Sequence, residues 1–208
     1  MLEENLPTSL HHRKKDRTRA TLEQAAIELG FAKGFENTTI DEIASKAGVS
    51  SRTFFRYFNT KEDALFPNVE DDLEATKMFL AGDHKNATSV DILRRVIRTI
   101  ADTFSKDFLG DEFKRNKVIL ASESLMSRQM QNKRKLQTCL AEGLARANVD
   151  PLFTDLVAAA SVAALTVAID TWVEGDAQEN LADLVVRTFE YLRAGLLVEP
   201  VADPNHRL

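Results

Sequence analysis

Apolar side chains recur along this chain at spacings of three and four, the period of a helix with one inward face. In "RATLEQAAIELGFAKGF", Leu22, Ala25, Ala26, Leu29 and Phe35 follow that rule, and Gly34 supplies a stop just after Lys33. Thr39 followed by Glu42 is the capping-box spacing, in which the hydroxyl and the carboxylate each satisfy a backbone N–H at a helix start. Ile40, Ile43 and Ala44 make that helix's inner face, and Gly48 ends it. Ser50 suits the cap of a third helix, from Ser51 to about Tyr57. Thr60 with Asp63 repeats the box and opens a fourth. Beyond Phe66 the pattern predicts helices near 68–81, 89–108, 112–121, 127–147, 151–174 and 180–197. Ser89 and Asp91 suit one start, and Pro151 suits a first helical position. Loops fall at 81–89 and 174–180, and the Pro-broken tail 198–208 reads as frayed. No stretch alternates as a strand with hairpin-turn signals would. The fold class is all-α.

Two segments separate on this reading. Residues 1–66 form a small N-terminal unit: a polar arm, one long helix and two short helices around a Gly turn. "IASKAGVSSRTFFRYF" has helix-turn-helix anatomy, with small Ala44 at the crossing and Val49 plugging the core. Residues 67–208 form a longer helical domain. At 208 residues, 44% hydrophobic and 28% charged, the chain can bury a core. Its net charge of −5 lies wholly in the second segment, because the first balances its charges. Within the first, basic residues gather in "HHRKKDRTR", His11 to Arg19, and a local patch governs DNA attraction more than the total does.

Catalysis finds little support. No GxSxG, GxGxxG, GKS/T, HExxH or CxxC occurs. His11 and His12 lie in the polar arm, and His84 and His206 in loops. None keeps metal-ligand spacing with carboxylates. The sequence calls for no enzyme activity, no cofactor and no metal. Cys139, the one cysteine, fits a reducing compartment and reads as a buried apolar residue. The first twenty residues are polar and charged, unlike a secretory signal. The longest uncharged run, Leu156 to Ile169, falls short of the roughly 20 residues of a membrane span. The expectation is a cytoplasmic protein without a membrane.

Arg52 to Phe58 packs four aromatics and two arginines into seven residues. Helical spacing divides them. Phe54 and Phe58 share a face with Val49 and belong inside, while Ser51, Arg52 and Phe55 lie on another face with Arg56 and Tyr57 flanking. A small three-helix domain has one inside, so Phe55 and Tyr57 cannot both be buried there. Arg grips guanine edges, a ring meets a thymine methyl, and a Tyr hydroxyl binds phosphate. The object these residues touch is therefore read as a DNA duplex.

"TTIDEIASKAGVSSRTFFRYFNTKEDAL" resembles the signature of the TetR-family transcriptional regulators over about residues 13–66. The resemblance implies that Ser51, Arg52, Thr53, Phe55 and Arg56 face the major groove, and that Thr39, Tyr57 and Lys61 hold phosphates. Two positions depart from the family pattern. Phe55 stands where Tyr is usual, which leaves only apolar contact, and Tyr57 stands where His is usual, which keeps a polar tip. Pro67 stands where the family runs one continuous helix, so a kink is expected at about 66–68 with Asn68 restarting it.

The second segment is read as a dimerisation and sensor domain. The helix at about 151–174 is rich in Ala (158, 159, 160, 163, 164 and 168), which permits close helix approach. The helix at about 180–197 groups Leu181, Leu184, Val185, Thr188, Phe189 and Leu192. Together they look like half of a four-helix homodimer bundle, as the resemblance also implies; the alternative is that they fold into their own core. Phe79, Ile97, Phe104, Phe108, Leu125, Met126, Leu140, Leu144, Leu165 and Trp172 are candidate linings for a small hydrophobic ligand, and each would serve equally as a core residue. "AIDTWVEGDAQENLADLV" with "TFEYLRAGL" resembles a TetR subgroup that binds acyl-coenzyme A-like ligands. In that case "QNKRK" (131–135), Arg94, Arg95 and Arg98 would hold phosphates, or else form a solvated basic face. The leading expectation is a dimeric repressor on a palindromic operator, released by such a ligand. The alternative is a DNA binder of the same fold that is constitutive or controlled by a protein partner.

Overall fold

The computed structural model describes residues 6–66, 69–82, 84, 87, 88, 91–96, 99, 109–145 and 150–195, with only the backbone of 6–15 and 109. Among the described residues there are helices and no strands. In chain order these are α1 (Leu6–Lys33), α2 (Ile40–Lys46), α3 (Ser51–Phe54), a 3-10 turn (Glu62–Leu65), α4 (Val69–Leu80), α5 (Leu109–Leu120), α6 (Glu123–Leu144), α7 (Pro151–Glu174) and α8 (Leu181–Arg193). Residues 91–96 are also helical.

The helix ends follow the local chemistry. Gly34 takes φ +85°, and its N–H closes α1 on the Gly30 carbonyl at 3.0 Å. Both halves of the Thr39–Glu42 capping box form at α2. Gly48 takes φ +70°, and the Val49 N–H reaches back to the Ala44 carbonyl at 2.9 Å, a Schellman-type stop. Ser50 caps α3 and Asp150 caps α7 with Pro151 in its first turn. The cap before residues 91–96 is Thr88 bonded reciprocally with Asp91, one position ahead of the expected Ser89, which lies outside the described residues.

Several expectations are corrected. The polar arm expected over 11–19 is not separate; it belongs to α1, since its Lys and Arg are good helix formers and no Gly interrupts them. The helix from Ser51 stays α-helical only to Phe54. Tighter bonds, Arg56 N–H to Thr53 O and Tyr57 N–H to Phe54 O, carry it on to Phe58. Thr60 and Asp63 do form their box, but it opens a 3-10 turn rather than an α-helix. Phe66, at φ −131° and ψ 55°, has left the helical region, and α4 begins at Val69. The expected kink at Pro67 and restart at Asn68 lie outside the described residues.

Contacts divide the chain into two units, Met1–Pro67 with Gly110–Arg128, and Asn68–Leu109 with Gln129–Leu208. This division differs from the expected boundary at 66/67 over Gly110–Arg128. The reason is physical: two helices as short as α2 and α3 bury too little on their own. The core of the first unit joins Leu22, Ala26, Ile27, Phe35, Ile43, Phe54, Phe58 and Leu65 to Val118, Ile119 and Leu125. Polar bonds reinforce the join. Glu36 accepts from the Ser122 and Ser124 hydroxyls at 2.6 and 2.9 Å, Gln24 donates to Asp111 at 3.0 Å, and Arg128 donates to Asp63 at 2.7 Å.

In the second unit α7 and α8 pack closely, burying Ala158, Val162, Ala168 and Trp172 with Leu181, Leu184, Val185 and Phe189. Leu80 of α4 lies against Gly143 of α6, where an added Cβ would fall 2.4 Å from Leu80 Cδ1. The turn after α7 holds Asp176 and Ala177 at positive φ, 49° and 58°. At 24 residues, α7 is long and apolar enough to cross a membrane by length and composition, longer than its uncharged run alone indicated. Asp155 and Asp170 bound that run without ending the helix.

Candidate nucleic-acid interface

The seven-residue stretch divides as its spacing requires. Phe54 and Phe58 are buried at 0% and 4% exposure, with ring centroids 5.3 Å apart. Phe55 is 56% exposed and touches Phe54 only edge-on, at 5.8 Å. Tyr57 is half-buried against the core, and Arg56 lies over its ring at 5.7 Å. Arg52 and Arg56 are exposed.

Charge pairing separates these two arginines from their neighbours. Arg19 pairs with Glu23 at 3.0 Å, Lys33 with Glu42 at 2.5 Å, Lys46 with Glu28 at 2.9 Å and Arg128 with Asp63 at 2.7 Å. Among the described residues Arg52 has no carboxylate partner, and Arg56 has only the Tyr57 ring. A guanidinium left unpaired beside an exposed ring is a ready contact for phosphate or a guanine edge.

The supporting residues are held from α2. Thr39 is exposed, and its hydroxyl is engaged in the cap. The Lys33 ammonium, with the Thr39 N–H and hydroxyl, holds the Glu42 carboxyl down at about 2. The Lys46 ammonium likewise lowers Glu28, whereas burial raises Glu23. Ser51 donates its hydroxyl to the Asp41 carboxylate, so it ties α3 to α2 instead of standing free. Thr53 shares a 3.1 Å hydrogen bond with Ser50.

Lys61 departs most from expectation. Its ammonium lies 2.9, 3.4 and 3.2 Å from the carbonyl oxygens of Phe35, Glu36 and Thr38. It also sits 4.6 Å from the centroid of the Phe35 ring. An ammonium has three N–H donors, and all three are taken. In the DNA-free chain the ammonium is thus held at the corner between α1 and α2. Asp41 was not singled out from sequence. The signal was available, since a first-turn acid one residue from the capping box is well placed to meet the next helix's start.

The expected sensor residues scatter. Leu125 is buried in the core of the first unit and so cannot line a cavity in the second. Met126 is exposed, again on the part of α6 that belongs to the first unit. Leu140, Leu144 and Trp172 are buried in the second unit, while Phe79 and Leu165 are half-buried. Ile97, Phe104, Phe108 and Arg98 lie outside the described residues. On α6, Lys133 is half-buried; burial lowers its pKa and Asp170 opposes that. Cys139 is buried, with its thiol pushed up by burial, as suits packing rather than reactivity.

The apolar faces expected at a dimer seam are also corrected. Ala158, Ala168, Leu181, Leu184, Val185 and Phe189 turn into their own unit, because amphipathic α8 buries its one broad apolar face within the protomer, while α7, apolar nearly all round, has apolar surface to spare. A different stripe of α7 stays exposed: Leu152, Leu156, Ala163 and Val167, at spacings of four and seven, with Val186 and Tyr191 exposed on α8.

Residues 23–66 match the model for bacterial regulatory proteins of the tetR family, and residues 87–197 match the MftR C-terminal domain. The chain is 38% identical over 97 residues to the HTH-type transcriptional regulator TcmR of Streptomyces glaucescens, a match spanning 45% of this chain and 43% of that one. It is 25% identical over 187 residues to a protein of Mycobacterium tuberculosis named as the mycofactocin biosynthesis transcriptional regulator MftR, covering 88% and 93%. Among solved structures, the fatty acid degradation regulator FadR of Bacillus halodurans has a TM-score of 0.61 at 20% identity, covering 86% and 96%. FadR of Bacillus subtilis, solved with stearoyl-CoA, has a TM-score of 0.55 at 20% identity, covering 85% and 98%. These likenesses share the fold.

Proposed function

The chain belongs to the TetR family of bacterial transcriptional regulators, and on that premise we propose that it is a dimeric, cytoplasmic repressor released from its operator by a long-chain acyl thioester. The observation that carries the DNA reading is the isolation of Arg52 and Arg56. They stand exposed beside Phe55 and clear of carboxylates, while Arg19, Lys33, Lys46 and Arg128 are ion-paired. In this reading Arg52 and Arg56 read base edges, with Phe55 against a thymine methyl. Thr53 and Ser51 line the same surface, and Thr39 and Tyr57 sit toward the backbone.

The dimer reading is supported by the exposed stripe Leu152, Leu156, Ala163 and Val167 together with Val186 and Tyr191. In this reading a second copy covers that stripe, and a two-fold dimer calls for a palindromic operator. The ligand class rests on two supports: the fold shared with a regulator crystallised with stearoyl-CoA, and Lys133. Lys133, half-buried on α6, is a candidate partner for an anionic headgroup whose chain lies along the apolar core.

The test is release. Protein bound to its selected duplex is titrated with stearoyl-CoA, lauroyl-CoA, stearate and coenzyme A while anisotropy and melting temperature are followed. Acyl-CoAs are expected to raise the melting temperature and free the duplex, with coenzyme A alone inert. No shift from any acyl compound removes the ligand and leaves a constitutive or partner-controlled DNA binder.

A further inference from the structure

We propose that Asp41 is a specificity-determining residue that accepts a hydrogen bond from a cytosine amine, next to the base pair read by Arg52. The inference rests on the DNA reading above. Asp41 lies in the first turn of α2 and is exposed. One of its oxygens, Oδ1, accepts from the hydroxyl of Ser51, the first residue of α3 and the neighbour of Arg52. Among the described residues no donor meets the other oxygen, Oδ2, and no cation pairs with the carboxylate. Acids on the same unit are matched: Glu42 with Lys33, Glu28 with Lys46 and Asp63 with Arg128. Nor does α2 need a second acid at its start, since Glu42 already closes the capping box.

An unmatched carboxylate weakens binding on a surface that meets phosphates. That loss is offset only where the free oxygen finds a donor. The N-terminal residues of a recognition helix meet base edges, and the Ser51 bond fixes Asp41 at that end of α3. In the major groove guanine and thymine present carbonyl oxygens, which repel a carboxylate. Adenine presents an amine beside the N7 acceptor, and N7 repels it too. Cytosine presents its amine with no acceptor alongside. The acid therefore selects by repulsion at three bases and attraction at one.

The experiment uses the full chain and the duplex that wild type selects from random DNA. Wild type, Asp41→Asn and Asp41→Ala are bound to every single-base variant of that duplex, with melting temperatures taken alongside. Wild type is expected to prefer cytosine by about fivefold or more at one pair in each half-site, adjoining the guanine that Arg52→Ala identifies. Asp41→Asn keeps an acceptor for Ser51 but turns an amide NH2 outward. The cytosine preference there should be lost in favour of adenine, whose N7 and N6 suit an amide. In Asp41→Ala it should vanish, with the other positions read as before. A residue that only ties α3 to α2 gives a different pattern: Asp41→Asn leaves every preference intact, and Asp41→Ala weakens all positions together. Either of those results overturns the proposal and leaves the DNA reading standing. A wild-type chain that enriches no duplex overturns the DNA reading, and this proposal with it.

Discussion

Gly30 offers a test in which two known effects act in opposite directions. It sits inside α1, where replacing Gly by Ala in an exposed helix stabilises by about 1 kcal/mol. Here the new Cβ would lie 2.9 Å from Val118 Cγ1 and 3.4 Å from Phe35 Cδ2. The second distance is ordinary contact. The first is not, and Val118 is 3% exposed, β-branched and packed in the core of the first unit, so it cannot swing away. Overpacking of this kind costs about 1–3 kcal/mol, so Gly30→Ala should destabilise by roughly 1 kcal/mol net. Val118→Ala removes two buried methyl groups and should cost about 2 kcal/mol. It also removes the clash. In the Val118→Ala background, Gly30→Ala should therefore reverse sign and stabilise by about 1 kcal/mol. Urea melts of the four proteins read this directly, and near the melting temperature each kcal/mol corresponds to about 2–4 °C. Additive effects, or stabilisation by Gly30→Ala in the wild-type background, would refute the close approach of α5 to α1.

Three further outcomes follow from the same geometry. Glu42, at about 2, lies below its ordinary 4.5, so its bonds to Lys33 and Thr39 stabilise the fold above pH 4.5 and are lost as pH falls from there toward 2; Glu42→Gln should flatten that part of the acid melting profile. Ala177, at φ 58°, occupies left-handed backbone that favours glycine, and Ala177→Gly should raise stability by about 0.5–1 kcal/mol in a thermal melt. Leu125→Ala should destabilise by about 2–5 kcal/mol and weaken duplex binding, since Leu125 is core to the first unit; an effect confined to acyl-CoA affinity would return it to the sensor.

What could be read from the sequence was local. The Thr39–Glu42 box, the stops at Gly34 and Gly48, and the split of Phe54 and Phe58 from Phe55 all depend on neighbours three to five residues away. The rest depends on partners far along the chain. Glu36 meets Ser122 and Ser124 across more than eighty residues, and Val118 and Leu125 enter a core that the first 66 residues cannot complete. Lys61 reads as a phosphate anchor at its place in a motif, and only the folded corner at Phe35–Thr38 reveals carbonyls waiting for it. The periodicity of α8 identified its broadest apolar face correctly but could not say whether that face serves the protomer or a second copy. It serves the protomer.

The central claim is that the surface carrying Arg52, Phe55 and Arg56 reads a duplex. Repeated selection of bound sequences from random DNA, followed by binding of wild type and Arg52→Ala to every single-base variant of the winner, tests it most directly. A palindromic winner is expected, with loss of about 1–3 kcal/mol of discrimination in Arg52→Ala at one guanine in each half-site and other positions read as before. Selection that enriches no palindrome, or an Arg52→Ala chain that keeps wild-type discrimination at every position, would contradict it.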